Sequence, residues 1–467
     1  MKFFSKNHRL VLLLLSSLGA AWIIPYAHSQ IAVQNQGYLP YSDEPINYRS
    51  RALNDPVTRL QKQIDQGEIQ LKYDPRFGYL QSVLENLRIP VSSQTLVFSK
   101  TSFQYKKISP QTPRALYFND EVYVGFVHDG KALEVISFDP MQGAIFYLLD
   151  VHEAQHPVFQ RAELDCTQCH IAPATRNVPG VFLRSIFPTS TGTLVFRSPS
   201  FITGQESPIK DRWGGWYVTG THCNQTHMGN MVVPDMQTAD QLDRSAGANV
   251  VDLSGRFDTS NYLTGHSDIV AQLVLAHQTQ MHNLITITNY ETRLALYDEA
   301  ARNKAANLPA DALSDTAREK YQRPAEQLLR FLLFTNEAPM DGAIQGTSGF
   351  TEEFSARGLR DRQGRSLRDF DLHTRIFKYP CSYLIYSEDF DSLPSPAKEY
   401  VYRRLVEVLT GQDTSPDFAK LTKQGRQAIL EILLATKPGF PDRWKKYRGR
   451  AQTPNHLSDA GSVLELP

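Results

Sequence analysis

Five consecutive residues constrain this chain more than any other feature: Cys166-Thr167-Gln168-Cys169-His170. Two thiols separated by two residues can reach both vinyl groups of one haem. The imidazole that follows then lies under the iron, where a ring nitrogen ligates it. With 4 Cys and 13 His among 467 residues, this pattern arises by chance in roughly one such chain in a thousand, by composition arithmetic. A structural zinc site needs more well-placed ligands than the adjacent Cys169 and His170 offer. A thioredoxin-like CxxC wants a strand before it and a helix after it, in a βαβ setting. Here Pro157 and Pro173 flank the motif closely. A plain disulfide between Cys166 and Cys169 is the remaining alternative. The motif therefore predicts one covalent haem c, bound by Cys166 and Cys169, with His170 as axial ligand to the iron.

The N-terminus supports that prediction, because c-type haem is attached outside the cytoplasm. Lys2, Lys6 and Arg9 precede an apolar run from Leu10 to Ile24, and Ala27-His28-Ser29 offers small residues for cleavage before Gln30. Residues 1–29 read as a signal peptide, and the expected location is periplasmic. The apolar run is about 15 residues, short of the ~20 that a spanning helix needs. No transmembrane segment is expected in the mature chain. Basic and acidic residues balance at 49 each, with no block of like charge, so nothing suggests a nucleic-acid partner. Four cysteines are too few for a disulfide scaffold of this size. Cys223 and Cys381 could pair, or Cys381 could be a buried thiol.

The pattern along the chain predicts an α+β protein with a β-rich N-terminal half, a loop-rich haem segment and a mainly helical C-terminal half. Residues 30–150 form the β-rich region. Within it, residues 30 to about 60 are polar and expected on the surface, with a short helix over Asp55 to Asp65. Residues 80–150 read as strands, with Gln94–Lys100, Glu121–Val127, Ala132–Phe138 and Gly143–Leu149 apolar or alternating. His128-Asp129-Gly130-Lys131 is a hairpin turn. Residues 151–265 carry the motif, with short strands expected at Thr193–Phe196 and Trp216–Thr219. Residues 266–467 are mainly helical. Ser267 to about Asn307 is a long helix with Ser267 and Asp268 as caps, and Thr316–Phe334 contains Pro324 as a possible kink. Lys398–Leu409 and Arg426–Ala435 are further helices, closed by Gly411 and Lys437-Pro-Gly.

The far side of the iron decides function. A Met or His there favours electron transfer, and an empty position favours binding or turning over a small molecule. The segment from Trp213 to Asn230 holds His222, His227 and Met228, with Met231 and Met236 just beyond. Its glycines and aromatics suit packing on a flat macrocycle. The candidate sixth ligands, in order, are His227, His222 and Met228. His277 on the long helix is an outsider, the alternative being a packed polar stripe. His152 and His156 share an i, i+4 spacing, with an exposed turn as the plainer reading. Arg161, Arg176 and Arg184 are candidates to neutralise haem propionates.

The motif resembles that of c-type cytochromes, though not the small single-domain kind, in which it lies near the start of a much shorter chain. A broader resemblance is to large exported bacterial proteins with a cytochrome c domain. It is carried by Leu96–Ser102, Pro113–Asp120, Cys166–Pro188, Arg212–His222 and Asp369–Arg375. That resemblance implies haem and export, and no settled activity. The expected function is electron transfer to or from a redox partner protein. The alternatives are a peroxidase- or oxidase-like c-haem enzyme with an open iron, or a haem-based sensor. Enzymes of that kind usually carry two haems, and this chain has a single CxxCH.

Overall fold

The computed structural model describes residues 40–234 and 243–448. The expected signal peptide and Met236 lie outside the described residues. Alternating and β-branched residues build an antiparallel meander of β1 (Thr95–Val97), β2 (Arg114–Phe118), β3 (Val122–Phe126), β4 (Ala132–Asp139) and β5 (Gly143–Asp150). Later segments add an edge strand on each side, β6 (Gln160–Arg161) beside β5 and β9 (Trp216–Tyr217) beside β1. The sheet order is β6-β5-β4-β3-β2-β1-β9. β7 (Leu183–Ile186) and β8 (Ser200–Thr203) form a separate hairpin. Thr193–Phe196 is not a strand. Only an isolated bridge joins Leu194 to Pro188, in the loop that closes this hairpin.

One face of the sheet packs on the N-terminal segment. There α1 (Pro56–Asp65) starts at Asp55, whose carboxylate accepts from the Val57 and Thr58 amides and takes the Tyr147 hydroxyl at 2.8 Å. Residues 40–54 run mostly along the surface, as expected, but are pinned at two points. Ile46 and Tyr48 are fully buried, and the Tyr48 hydroxyl donates to the Ala144 carbonyl. α2 (Leu80–Asn86) is a helix where strands were expected. It buries Leu80, Val83 and Leu84, which lie three and one apart on one helical face.

The other face carries α3 (Glu163–His170) and the 38-residue α4 (Ile269–Ala306). α4 is buried around nearly its whole circumference from Ile269 to Thr292. A helix apolar or hydrogen-bonded on every side belongs inside a protein rather than on its surface. His282 stacks on Phe138 of β4 at 3.9 Å, and Gln278 donates to the Tyr123 hydroxyl of β3 at 2.9 Å. Around α4 pack α5 (Asp315–Leu332), α6 (Phe350–Ala356), α7 (Glu388–Asp391) and α8 (Ser395–Leu409). α5 runs through Pro324 without ending. α9 (Lys423–Thr436) and α10 (Phe440–Arg448) complete the C-terminal half. One connected apolar core runs from Ile46 to Tyr447. No helix among the described residues is long and apolar enough to cross a membrane.

Candidate cofactor site

Cys166, Cys169 and His170 lie on the one short helix α3, so both thiols and the imidazole are fixed within two turns of backbone. None of the four cysteines is in a disulfide. Cys223 is exposed and Cys381 buried, so the possible pair between them is not formed. α3 follows a two-residue antiparallel edge strand, which is not the βαβ setting of a thioredoxin site. Among the described residues, no three His, Cys, Asp or Glu side chains gather as a metal-ion site would require.

His170 is oriented by the loop that leaves the helix. Its Nδ1 is 2.8 Å from the Gly180 carbonyl, and the Gly180 amide donates back to the His170 carbonyl at 3.0 Å. Thr175 ties the intervening turn, its hydroxyl donating to the Val178 carbonyl at 2.8 Å. Gly180 has to be glycine, because a Cβ there would sit 2.1 Å from the Asn283 Oδ1 on α4. That same Oδ1 accepts from the Val181 amide, and Nδ2 donates to the Val181 carbonyl. α4 thus clamps the loop that holds His170. A carbonyl can only accept, so Nδ1 carries the proton and Nε2 keeps its lone pair. Burial lowers the pKa of His170, which favours the neutral ring that a metal requires. Metal-ligating histidines are commonly anchored through the other ring nitrogen in this way.

The ring lies against the sheet face, 5.0 Å from Phe146 of β5 and 5.7 Å from Phe182. The Arg114–Glu134 ion pair of β2 and β4, closed at 2.7 Å, lies close enough to bias its titration. The Nε groups of Arg114 and Arg176 are buried without a hydrogen-bond partner, which leaves donors for an anion. Arg184 is exposed over the Phe182 ring. Arg161, whose Nε is likewise buried without a partner, stacks on Tyr48 and donates to its carbonyl through a terminal nitrogen. The chemistry of the donors, two thiols and an imidazole with its lone pair free, fits a haem.

None of the ring or hydrogen-bond partners described for His222, His227 or Met228 belongs to α3. His222 and His227 are buried with their rings 4.8 Å apart, and His227 meets Trp213 edge-on. Their anchoring is opposite to that of His170. His222 Nε2 accepts from the Asn249 amide and His227 Nδ1 accepts from the Gly229 amide, each at 3.0 Å. In a neutral ring the other nitrogen then holds the proton and has no lone pair for iron. Met228 sits in a small apolar cluster with Phe187, Val195 and Val233, and its sulfur takes the Ser185 hydroxyl at 3.7 Å. The glycines of this segment serve protein packing rather than a macrocycle. A Cβ at Gly214 would lie 2.0 Å from the Ile186 carbonyl oxygen, and one at Gly220 would lie 2.6 Å from that of Gln345.

His277 is a packed polar bridge. Its two nitrogens meet Gln205 Oε1 at 2.6 Å and Ser382 Oγ at 2.7 Å, between the rings of Phe331 and Phe334. His152 and His156 are exposed, and each meets a single aspartate, Asp150 and Asp65. Sequence reasoning missed Gly180 and Asn283. A lone glycine ten residues after the motif carries no periodic signal, and Asn283 is one of many polar residues on α4.

Buried titratable groups set the response to acid. Burial lowers His227 and His277 from 6.5 to about 3 and raises Glu121 and Glu337 from 4.5 to about 7. Between pH 4.5 and 6.5, unfolding takes up protons at the two histidines and releases them from the two glutamates, and the slopes offset. Below pH 4.5 the glutamates are protonated in both states. Each histidine then lowers stability by about 1.4 kcal/mol per pH unit until its own folded pKa is reached. Urea midpoints are expected to fall below pH 4.5. His277→Gln should remove one histidine's share of the acid slope; an unchanged slope would refute this assignment.

No family model, no curated protein and no solved structure matches the chain.

Proposed function

We propose that this chain is an exported mono-haem c-type cytochrome acting in electron transfer. Its haem is held by Cys166 and Cys169, its iron is ligated by His170, and its redox partner is another protein in the periplasm. The observation that carries this reading is the anchoring of His170, whose Nδ1 is committed to the Gly180 carbonyl so that Nε2 is left for a metal. When bound, haem supplies an iron that gains and loses one electron without bonding to a substrate. The chain supplies the attachment and the orientation of His170 through Gly180 and Asn283.

Purified from a host that matures c-type haem, the protein should retain its colour through acid–acetone extraction. It should also give the reduced pyridine haemochrome of a haem with both vinyl groups saturated. A colourless product from a host that matures a control cytochrome would overturn the reading.

One observation favours a second reading, an iron whose sixth position is open. His222 and His227 have the wrong tautomer as anchored, and the Met228 sulfur lies in a separate apolar cluster. Carbon monoxide added to the reduced protein decides between them. An iron that ignores it has a sixth protein ligand and supports the carrier; a Soret shift supports the open site.

A further inference from the structure

Two stretches of the chain, residues 86–119 and 166–205, contain no aspartate or glutamate, although 49 of the 467 residues are acidic. At that average, stretches of this combined length would hold roughly eight carboxylates. They carry eight Lys and Arg instead, and the second stretch begins at Cys166 itself. The fold brings the two together. The Lys100 amide donates to the Gly192 carbonyl at 3.2 Å, and a Cβ at Gly192 would lie 2.2 Å from the Phe98 carbonyl oxygen. β4 brings the carboxylate of Glu134 to the first stretch, and it is closed off. Arg114 meets it at 2.7 Å, Gln104 donates to it at 2.8 Å and Ser102 donates as well. That ion pair lies within electrostatic reach of His170. The turn between β3 and β4 adds exposed Lys131, whose amide donates to the Gln104 side chain, and Asp129 beside His128.

The cations of this region are left unpaired. Lys106, Lys107, Arg184 and Arg197 are exposed, and none of them forms an ion pair among the described residues. In the helical half, by contrast, Arg330, Arg404 and Arg443 each close on a carboxylate. Exposed aromatic rings gather on the same two stretches. Among the described residues, four aromatic side chains are exposed, and three of them belong here: Phe196 at 71 %, Phe103 at 50 % and Tyr105 at 47 %. The fourth, Tyr297, is on α4 and donates to Glu44. Tyr105, Lys106 and Lys107 form one turn of 3-10 helix after Phe103, and the Arg197 guanidinium lies over the Phe196 ring at 5.1 Å. Aromatic rings left in water among unpaired cations cost solvation and gain nothing within the chain. They are what a binding surface presents.

We infer that the face built from Phe103, Tyr105, Lys106, Lys107, Phe196 and Arg197 docks an acidic protein. Carboxylates of the partner meet the unpaired cations, and an apolar spot at their centre covers the rings. Opposite charge steers the encounter and sets its orientation, while the rings supply buried area. Only the partner's role in electron transfer rests on the proposed function. The inference adds the chemistry of that partner and the face that receives it.

The probe is a short fluorescein-labelled peptide of glutamates interrupted by two tryptophans, read by fluorescence anisotropy with the full chain. Binding should weaken steadily as salt rises, because exposed charges are screened beyond about 10 Å at 0.1 M. Reversing three cations of the face together, Lys106→Glu, Lys107→Glu and Arg197→Glu, should weaken it roughly tenfold or more. The same change of net charge in the helical half, at exposed Lys420, Lys423 and Lys445, should leave it within about twofold. Equal losses in the two triple variants, or no binding by the unmodified chain, would overturn the face. Phe103→Ser with Phe196→Ser should weaken this peptide and leave an all-glutamate peptide unchanged; no effect on either would overturn the role of the rings. All these side chains are exposed, so an unchanged melting temperature is expected in each variant. Vesicles of phosphatidylglycerol are the rival anionic surface, and tighter binding to them through the same residues would overturn the protein partner. The assay reads docking with or without haem. A colourless chain that still binds the peptide would refute the attachment and leave the face standing.

Discussion

On the proposed function, replacing Cys166 and Cys169 together by Ala is expected to abolish haem staining on a denaturing gel. The thioether bonds are the only links that survive unfolding, because the bond from His170 to iron depends on the folded loop that positions Nε2. Each single variant keeps one thioether and so keeps stain, with a haemochrome band displaced by the one unsaturated vinyl. The double variant can still hold haem through His170 in the native state, and that haem should leave on denaturation. The comparison of native and denatured samples therefore separates attachment from ligation. Stain that persists in the double variant would remove the central claim. The substitutions themselves carry little folding cost. Cys169 is exposed and Cys166 half-buried on a short helix, and Ala is the best helix former.

Asp268→Ala should destabilise the fold by about 3–5 kcal/mol, since an N-cap is worth about 1 kcal/mol and each buried donor left unmet costs 1–3 kcal/mol. One oxygen of Asp268 caps α4 through the Val270 amide at 2.8 Å and the Ala271 amide at 3.1 Å. The other accepts from the Thr347 and Ser348 amides at 2.7 and 2.9 Å and from the Ser348 hydroxyl at 3.0 Å. Asp268 is fully buried, so water cannot replace it. Gly346 lets the chain come this close, because a Cβ there would lie 2.3 Å from the carboxylate. Asp268→Asn keeps one acceptor and should cost about half as much, by the same count of unmet donors. Denaturant midpoints at one pH measure both. A loss below about 1 kcal/mol for Asp268→Ala would show that the loop at Thr347 carries no weight beyond an ordinary cap.

The same residue shows what a sequence makes legible. Ser267 and Asp268 before an uninterrupted helical pattern predict the start of α4, and the helix begins at Ile269. Asp55 does the same for α1. Both are short-range signals, in which a side-chain acceptor meets amides two and three residues ahead. The hairpin at His128–Lys131 is equally local, and β4 and β5 pair in register over their whole length. Expectations failed where a segment's neighbours decide its state. Leu80–Asn86 has an apolar content that suits strand or helix, and packing made it α2. Thr193–Phe196 has strand-forming residues and no strand to pair with beyond one bridge. The stretch around Ile46 and Tyr48 is polar in composition and runs mostly along the surface, yet these two residues reach the core.

The site divides in the same way. Cys166, Cys169 and His170 are legible because haem attachment needs a fixed spacing within five residues, and spacing is a property of the chain alone. His222, His227 and Met228 are legible only as residue types able to ligate. Whether a histidine can ligate depends on which nitrogen its neighbour occupies, and the neighbours Asn249, Gly229 and Gly180 are set by the fold. The sequence by itself determined the capped helices and the hairpins, and it carries the spacing on which the proposed attachment rests, because these depend on contacts within a few residues. The tertiary structure alone decided the tautomer of each histidine and the face on which His170 rests, because both depend on groups brought together from distant parts of the chain.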